Sequence, residues 1–263
     1  MSRILWINPL GTSVFDATIG AELRRVKRPN TDVEVRSLKR GPHHLEYHAY
    51  ESWVTPDVLT TIIAAEREGF DAAVIGCFYD TGLRAAREVA TRIAVAAPCE
   101  SAVHIASTLG DSFSVIVGRR KWVPEMRDNV TRYGYRDRLA SFKVVELGVH
   151  DFQADPERTR QRLTAAAEEA VTKDGAEVVV LGCTAEYGFY EELQSKIGVP
   201  VIDATVAPFK YAELLADLAK LGWLPSKIGG FATPPGDELE AFGLAGQLAT
   251  AAPAEVRMNS GRT

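Results

Sequence analysis

Cys77 and Cys183 are the residues whose setting points most directly to chemistry. Each follows a short Val/Ile-rich run and a glycine, as VIGC and VLGC. The segment DAAVIGCFYDTGLRAARE (71–88) resembles AEVVVLGCTAEYGFYEEL (176–193), each reading as strand, Gly-Cys, turn and helix. The two cysteines lie 106 positions apart, and the runs ILWIN and SVIVG lie 110 apart, so the chain reads as two related lobes. A free cysteine met alone reads as inert packing; two in matching frames do not. Cys99, which follows Pro98 in a connection, has no such counterpart and reads as structural.

Two cysteines facing one cleft suit inversion of a stereocentre that bears hydrogen. A thiolate removes the proton from one face, a thiol delivers one to the other, and N–H donors hold the oxyanion between the two steps. Ligands of parallel α/β sheets bind at the carboxyl ends of strands. A cysteine there, immediately before a helix, is expected to have its pKa lowered from about 8.5 by the helix N-terminus.

The elements that position the cysteines are legible. Strands are read at Arg3–Ile7, Val33–Arg36, Ala72–Gly76, Phe113–Val117, Val178–Leu181 and Val199–Ile202, as Val/Ile runs bounded by turn residues. Thr55-Pro56-Asp57 reads as an N-cap with proline at the first helical position, ahead of Leu59, Ile62 and Ile63, with Gly69 ending the helix. Asp155-Pro156-Glu157 repeats the device before Leu163, Ala166, Ala167, Ala170 and Val171, which Gly175 closes. Leu214, Leu218 and Leu221 form one stripe of a later helix. Strand–helix alternation predicts an α/β fold with parallel sheets.

Composition sets the outer limits. The chain has 263 residues, 46% hydrophobic and 25% charged, with a net charge of -5 that gives no basic field for nucleic acid. No apolar run is long enough to span a membrane, and the start has no secretory pattern, so a cytoplasmic protein is expected. Three scattered cysteines make no disulfide framework, and no CxxC pair offers a structural zinc site. His43, His44 and His48 cluster without the spacing of a known metal motif and read as loop or surface histidines, so no metal is expected. Asp80 reads as a helix cap and Arg119 and Arg120 as surface charge.

Five ordered segments carry a resemblance: INPLGTS near the start, Gly41-Pro42 with Glu46 beyond, IGCFYDTGL, VVVLGCTAEYGF and LGVPVIDA. From Arg3 to about Gly236 the chain resembles the aspartate/glutamate/hydantoin racemase superfamily, and within it most of all the hydantoin and allantoin racemases. The resemblance implies two pseudo-symmetric α/β lobes, each a parallel four-stranded sheet flanked by helices, with the active site between them. It implies residues 1–98 plus 205–223 as the first lobe and 99–204 as the second; the remaining 224–263 reads as an extension, and beyond Gly246 its Ala, Pro, Ser and charged residues with no long apolar face predict a disordered end. Cys77 and Cys183 become the acid/base pair, working without a cofactor on a small-molecule substrate. Asn8 and Thr12 become substrate contacts, and the backbone amides of Phe78, Tyr79 and Asp80 and of Thr184, Ala185 and Glu186 bind its carbonyl or carboxylate. A homo-oligomer is expected.

The departures bear on the substrate. Leu10 and Gly11 stand at polar family positions, Tyr79 replaces a glycine, and Thr184-Ala185-Glu186-Tyr187 replaces the Ala-Gly-Met-Val of hydantoin racemases. Tyr79 and Tyr187 either flank a ring or pack at the lobe interface; Glu186 either turns away from the substrate or binds an N–H. The leading expectation is racemisation of a 5-substituted hydantoin or related cyclic ureide. Its rivals are racemisation of a free amino acid, another enolate-forming isomerisation or decarboxylation, and ligand binding without catalysis.

Overall fold

Eight strands alternate with helices along the computed structural model, which describes residues 1–248. The end of the 224–263 extension, expected to be disordered, lies outside the described residues. The first half runs β1 (Ser2–Asn8), α1 (Asp16–Val26), β2 (Thr31–Ser37), α2 (His48–Arg67), β3 (Ala72–Ile75), α3 (Leu83–Val89), β4 (Ala94–Ala96) and α4 (Pro98–Leu109). The second runs β5 (Phe113–Val117), α5 (Val123–Arg132), β6 (Leu139–Val144), α6 (Asp151–Ala154), α7 (Pro156–Thr172), β7 (Val178–Leu181), α8 (Tyr190–Ile197) and β8 (Val201–Ile202). Then come α9 (Val206–Lys220), α10 (Gly236–Ala241) and α11 (Ala245–Leu248).

The strands form two four-stranded sheets with one topology, β2-β1-β3-β4 and β6-β5-β7-β8, and every pairing is parallel. β3 and β7 occupy equivalent central places beside β1 and β5. Both are buried along their whole length, which is why they read as unbroken Val/Ile/Ala/Leu runs. The sequence-based reading omits β4 and β6. β4 has three residues, and β6 is a half-buried edge strand carrying Lys143, so neither stands out as an apolar run.

Two helices differ from expectation. α2 begins at His48, so Thr55 is not its N-cap and Pro56 lies inside it. Val54, Val58 and Ile62 bury one continuous stripe across the proline, and that burial outweighs the roughly 3 kcal/mol penalty of an interior proline. The Thr55 hydroxyl donates to the Glu51 carbonyl instead. α9 buries Phe209, Ala212 and Ala216, and the leucine stripe faces outward, with Leu214 43% and Leu221 68% exposed. Small residues on the inner face let α9 lie close to β1, β3 and β4 of the first sheet. The Asp155 cap is as read: its carboxylate accepts the Arg158 amide at 3.0 Å, with Pro156 opening α7. No described helix is long and apolar enough to cross a membrane.

Candidate active site

The glycine before each cysteine has a packing reason. The Gly76 amide donates to the Ile7 carbonyl (2.8 Å), and the Gly182 amide to the Ile116 carbonyl (2.7 Å). A Cβ at Gly76 would stand 2.7 Å from the Trp6 indole, and one at Gly182 would stand 2.6 Å from the Ile116 oxygen. Each central strand can therefore end against its neighbour only with glycine there.

The turns beyond also match. The Asp80 amide donates to the Cys77 carbonyl (2.9 Å), as the Glu186 amide does to the Cys183 carbonyl (3.0 Å). The Ala185 amide approaches Cys183 Sγ at 3.5 Å, and the Tyr79 amide donates to the Cys77 sulfur in the equivalent way. The repeated Gly-Cys is thus one backbone device built twice.

Both cysteines line a single small cavity of about 60 Å³. Pro9, Leu10, His44, Leu45 and Glu46 close it from the first lobe, with Gly76 to Tyr79. Trp122, Met126 and Val149 close it from the second, with Gly182 to Thr184. The Thr184 hydroxyl donates to the Gly76 carbonyl at 3.2 Å and so ties the two strand ends together.

The thiols are not acidified. Burial pushes the Cys77 thiol up to about 12, against the pull of the Tyr79 amide. It holds Cys183 well above the usual thiol range, reinforced by the charge of Glu186. The lowered pKa expected from helix N-termini is corrected for a geometric reason. Cys77 precedes α3 by six residues and Cys183 opens only a single 3-10 turn, so neither sulfur sits at the N-terminus of the α-helix that follows it.

The other expected contacts divide. Phe78, Tyr79 and Thr184 line the cavity; Asn8, Thr12, Asp80, Ala185 and Glu186 do not. The Asn8 carboxamide is engaged on both sides, accepting from Trp6 Nε1 at 2.7 Å and donating to Asp16 Oδ1 at 2.5 Å. Thr12 turns its hydroxyl to the Val14 amide. Asp80 is a helix cap, though of α4 rather than α3: its two carboxylate oxygens accept the Cys99 and Glu100 amides, both at 2.8 Å. It sits in the left-handed region (φ 55), which a short polar side chain tolerates. Glu186 turns away from the cavity into the interior, with no exposed surface and no aligned hydrogen-bond partner for either carboxyl oxygen. Tyr187, half-buried, packs against the core beside the first sheet and does not line the cavity. Cys99 is fully buried.

The sequence alone does not mark Glu46 as a site residue, yet among the described residues it is the one carboxylate lining the cavity. It is 6% exposed and held by the second lobe: Val149 donates its amide to Oε1 (3.1 Å), and Arg119 Nε lies 3.0 Å from Oε2. Arg119 is therefore a cross-lobe partner rather than free surface charge. The signal for Glu46 lay in its own segment, Gly41-Pro42 to Glu46. Asn129, which donates from α5 to the Tyr79 carbonyl at 2.8 Å, was also unread.

Of the loop histidines, His43 and His48 are exposed and His44 half-buried beside the cavity. One donor atom each of His48, Glu51 and Glu125 falls within 4.8 Å of the others. The His48 imidazole lies 3.0 Å from Glu125, with the Glu51 carboxyl beside them.

Comparison with known proteins gives the family. The family described as Asp/Glu/Hydantoin racemase matches residues 4–212. A hydantoin racemase of Pseudomonas sp. is 37% identical over 218 residues, covering 83% of this chain and 87% of that protein. One of Rhizobium meliloti is 36% identical, covering 87% of this chain and 93% of its own. The solved structure of allantoin racemase from Klebsiella pneumoniae superposes with a TM-score of 0.80 at 32% identity, covering 89% of this chain and 94% of that one.

Proposed function

The chain belongs to the Asp/Glu/hydantoin racemase family and is an isomerase of the racemase kind, and from that premise we propose that Cys77 and Cys183 invert C5 of a 5-substituted hydantoin or related cyclic ureide. The observation that carries the reading is that both thiols line one cavity, from the ends of equivalent strands in opposite lobes. The proposal assigns the lobes to residues 1–98 with 205–223 and residues 99–204, each supplying one cysteine.

In the proposed reaction one cysteine acts as thiolate and takes the C5 proton. The electron pair left on carbon moves into the adjacent carbonyl, giving an enolate. The other cysteine, a thiol, returns a proton to the opposite face, and the two exchange roles for the reverse direction. Of the six amides expected to bind substrate, those of Tyr79, Asp80, Ala185 and Glu186 are committed within the turns. The proposal therefore gives the oxyanion to the amides of Phe78 and Thr184, at equivalent places after each cysteine. The apolar walls of Leu10, Leu45, Trp122, Met126 and Val149 keep the intermediate from water.

Glu46 favours the ureide over the free amino acid. It accepts the Val149 amide and pairs with Arg119, and a carboxylate held there is complementary to a ring N–H. A substrate carboxylate about 4 Å away would meet a repulsion of order 4 kcal/mol in a half-polar site, before the Arg119 charge is counted. The test is incubation with single antipodes of 5-benzylhydantoin, aspartate and glutamate in deuterated water, following optical rotation and deuterium at the stereocentre. The reading requires loss of rotation with label for the hydantoin. Label and racemisation confined to the amino acids would overturn the substrate class.

A further inference from the structure

Tyr79 separates the reaction cavity from a second, polar cavity of about 510 Å³. His48 and Glu51 face this second cavity from α2, spaced i, i+3 on one side of the helix, and Glu125 faces it from α5 of the other lobe. His48 Nδ1 lies 3.0 Å from Glu125 Oε2 without the alignment of a hydrogen bond, and one donor atom each of His48, Glu51 and Glu125 falls within 4.8 Å of the others. Thr81 has no exposed surface. Its hydroxyl lies beside both the Cys77 sulfur and the Glu51 carboxyl without an aligned hydrogen bond to either. His48, at the other end, is 63% exposed. The chain of polar groups therefore runs from Cys77 outward to water.

Cys183 has a different neighbour. The acid beside it, Glu186, has no exposed surface and lines neither cavity, and Asp203 beyond it is also buried. We propose that Thr81, Glu51, Glu125 and His48 form a proton relay joining Cys77 to solvent, and that Cys183 has no equivalent among the described residues. The proposal rests on the two-cysteine reading above and adds an asymmetry that the matched turns alone do not imply.

Each hop exchanges one X–H bond for another and changes no oxidation state. The proton that Cys77 takes from carbon passes to the Thr81 oxygen as the Thr81 hydroxyl proton passes to Glu51. The proton shared by the acid pair moves to Glu125 and leaves through His48. Two carboxyls this close cannot both ionise freely, so the pair keeps a proton at neutral pH. Burial, then the neighbouring Glu125 carboxyl, pushes Glu51 up to about 8. Burial raises the Glu125 carboxyl above the usual range against the pull of Glu51; Asp128 adds to the rise, while Arg132 and Lys121 oppose it.

The relay residues are positioning residues, and the readout is isotopic. Racemisation of each antipode of 5-benzylhydantoin is run in deuterated water to low conversion. Deuterium in the recovered starting antipode is divided by the extent of inversion, which serves as an internal clock. The antipode deprotonated by Cys77 is the one that Cys183→Ser still exchanges with solvent. For that antipode the ratio is expected to be at least tenfold higher than for its mirror image. Glu51→Gln, or Thr81→Val if the first variant folds poorly, should lower that ratio at least tenfold and leave the other antipode's ratio unchanged. A structural role would slow exchange and inversion together and leave the ratio alone. Equal ratios for the two antipodes, or a ratio unmoved by both variants, would overturn the relay. If Cys77→Ser and Cys183→Ser both still racemise, it is the two-cysteine reading that fails.

Discussion

Gly182→Ala perturbs the position of Cys183 without touching any group proposed to react. The added methyl would stand 2.6 Å from the Ile116 carbonyl oxygen, 2.9 Å from Val115 Cγ1 and 3.0 Å from Val117 Cγ1. Ordinary contact begins at 3.4 Å, so the end of β7 must withdraw from β5 by about 0.8 Å. Overpacking of this kind costs about 1–3 kcal/mol, which for a chain of this size lowers Tm by roughly 2–4 °C per kcal/mol. A catalytic group displaced by nearly 1 Å loses about 10²-fold in rate. The assay is polarimetry on one hydantoin antipode together with thermal melting. Gly230→Ala is the control, because a Cβ there meets nothing within 4 Å. The expected result is a fall in kcat of about 10²-fold with a smaller change in KM. Full turnover by Gly182→Ala would refute the argument that this glycine sets the cysteine's place; loss of Tm with full activity would refute it equally.

Three further outcomes follow from the same geometry. Glu46→Gln should reduce kcat/KM for a hydantoin by about 10–100-fold, the worth of one hydrogen bond to a charged acceptor, and should tighten inhibition by a simple arylacetate; unchanged values for both contradict the role given to Glu46. Because burial raises both thiols, to about 12 at Cys77 and well above the usual range at Cys183, thiolate increases with pH, and kcat/KM should rise up to about tenfold per unit between roughly pH 7 and 9 after subtraction of the uncatalysed rate; a maximum near neutrality contradicts this. Burial pushes the Asp80 carboxyl up to about 7, so folding favours its protonated form. That stability is full below the unfolded value of about 3.9 and is lost as pH rises through the folded one. The stability of the native chain relative to Asp80→Asn should therefore fall between pH 4 and 7 in denaturant titrations, and a constant difference would show that Asp80 keeps its ordinary pKa.

The catalytic candidates were legible because backbone geometry wrote them into the sequence twice. Gly76 and Gly182 are fixed by the close approach of neighbouring strands, and the cysteines follow in the same turn, so a local pattern carried a long-range fact. The central strands were legible because they are buried on both faces. What stayed hidden depends on partners far away in sequence. Asp80 caps a helix nineteen positions on, at Cys99, rather than the one beginning nearby. Glu46 acquires its place from Arg119 and Val149 of the other lobe, and the leucine stripe of α9 faces outward because alanines pack inward. The thiols stay unacidified because short turns, not helix starts, follow both strand ends, and burial decides.

The central claim is that two sulfurs serve one carbon from opposite sides. Its most direct test is the optical rotation of a single 5-substituted hydantoin antipode incubated with the native chain, with Cys77→Ser and with Cys183→Ser at equal concentration. The native chain should bring rotation to zero, and each serine variant should hold it at the uncatalysed rate while Cys99→Ser behaves as the native chain. Racemisation near the native rate by either Cys77→Ser or Cys183→Ser would contradict the claim.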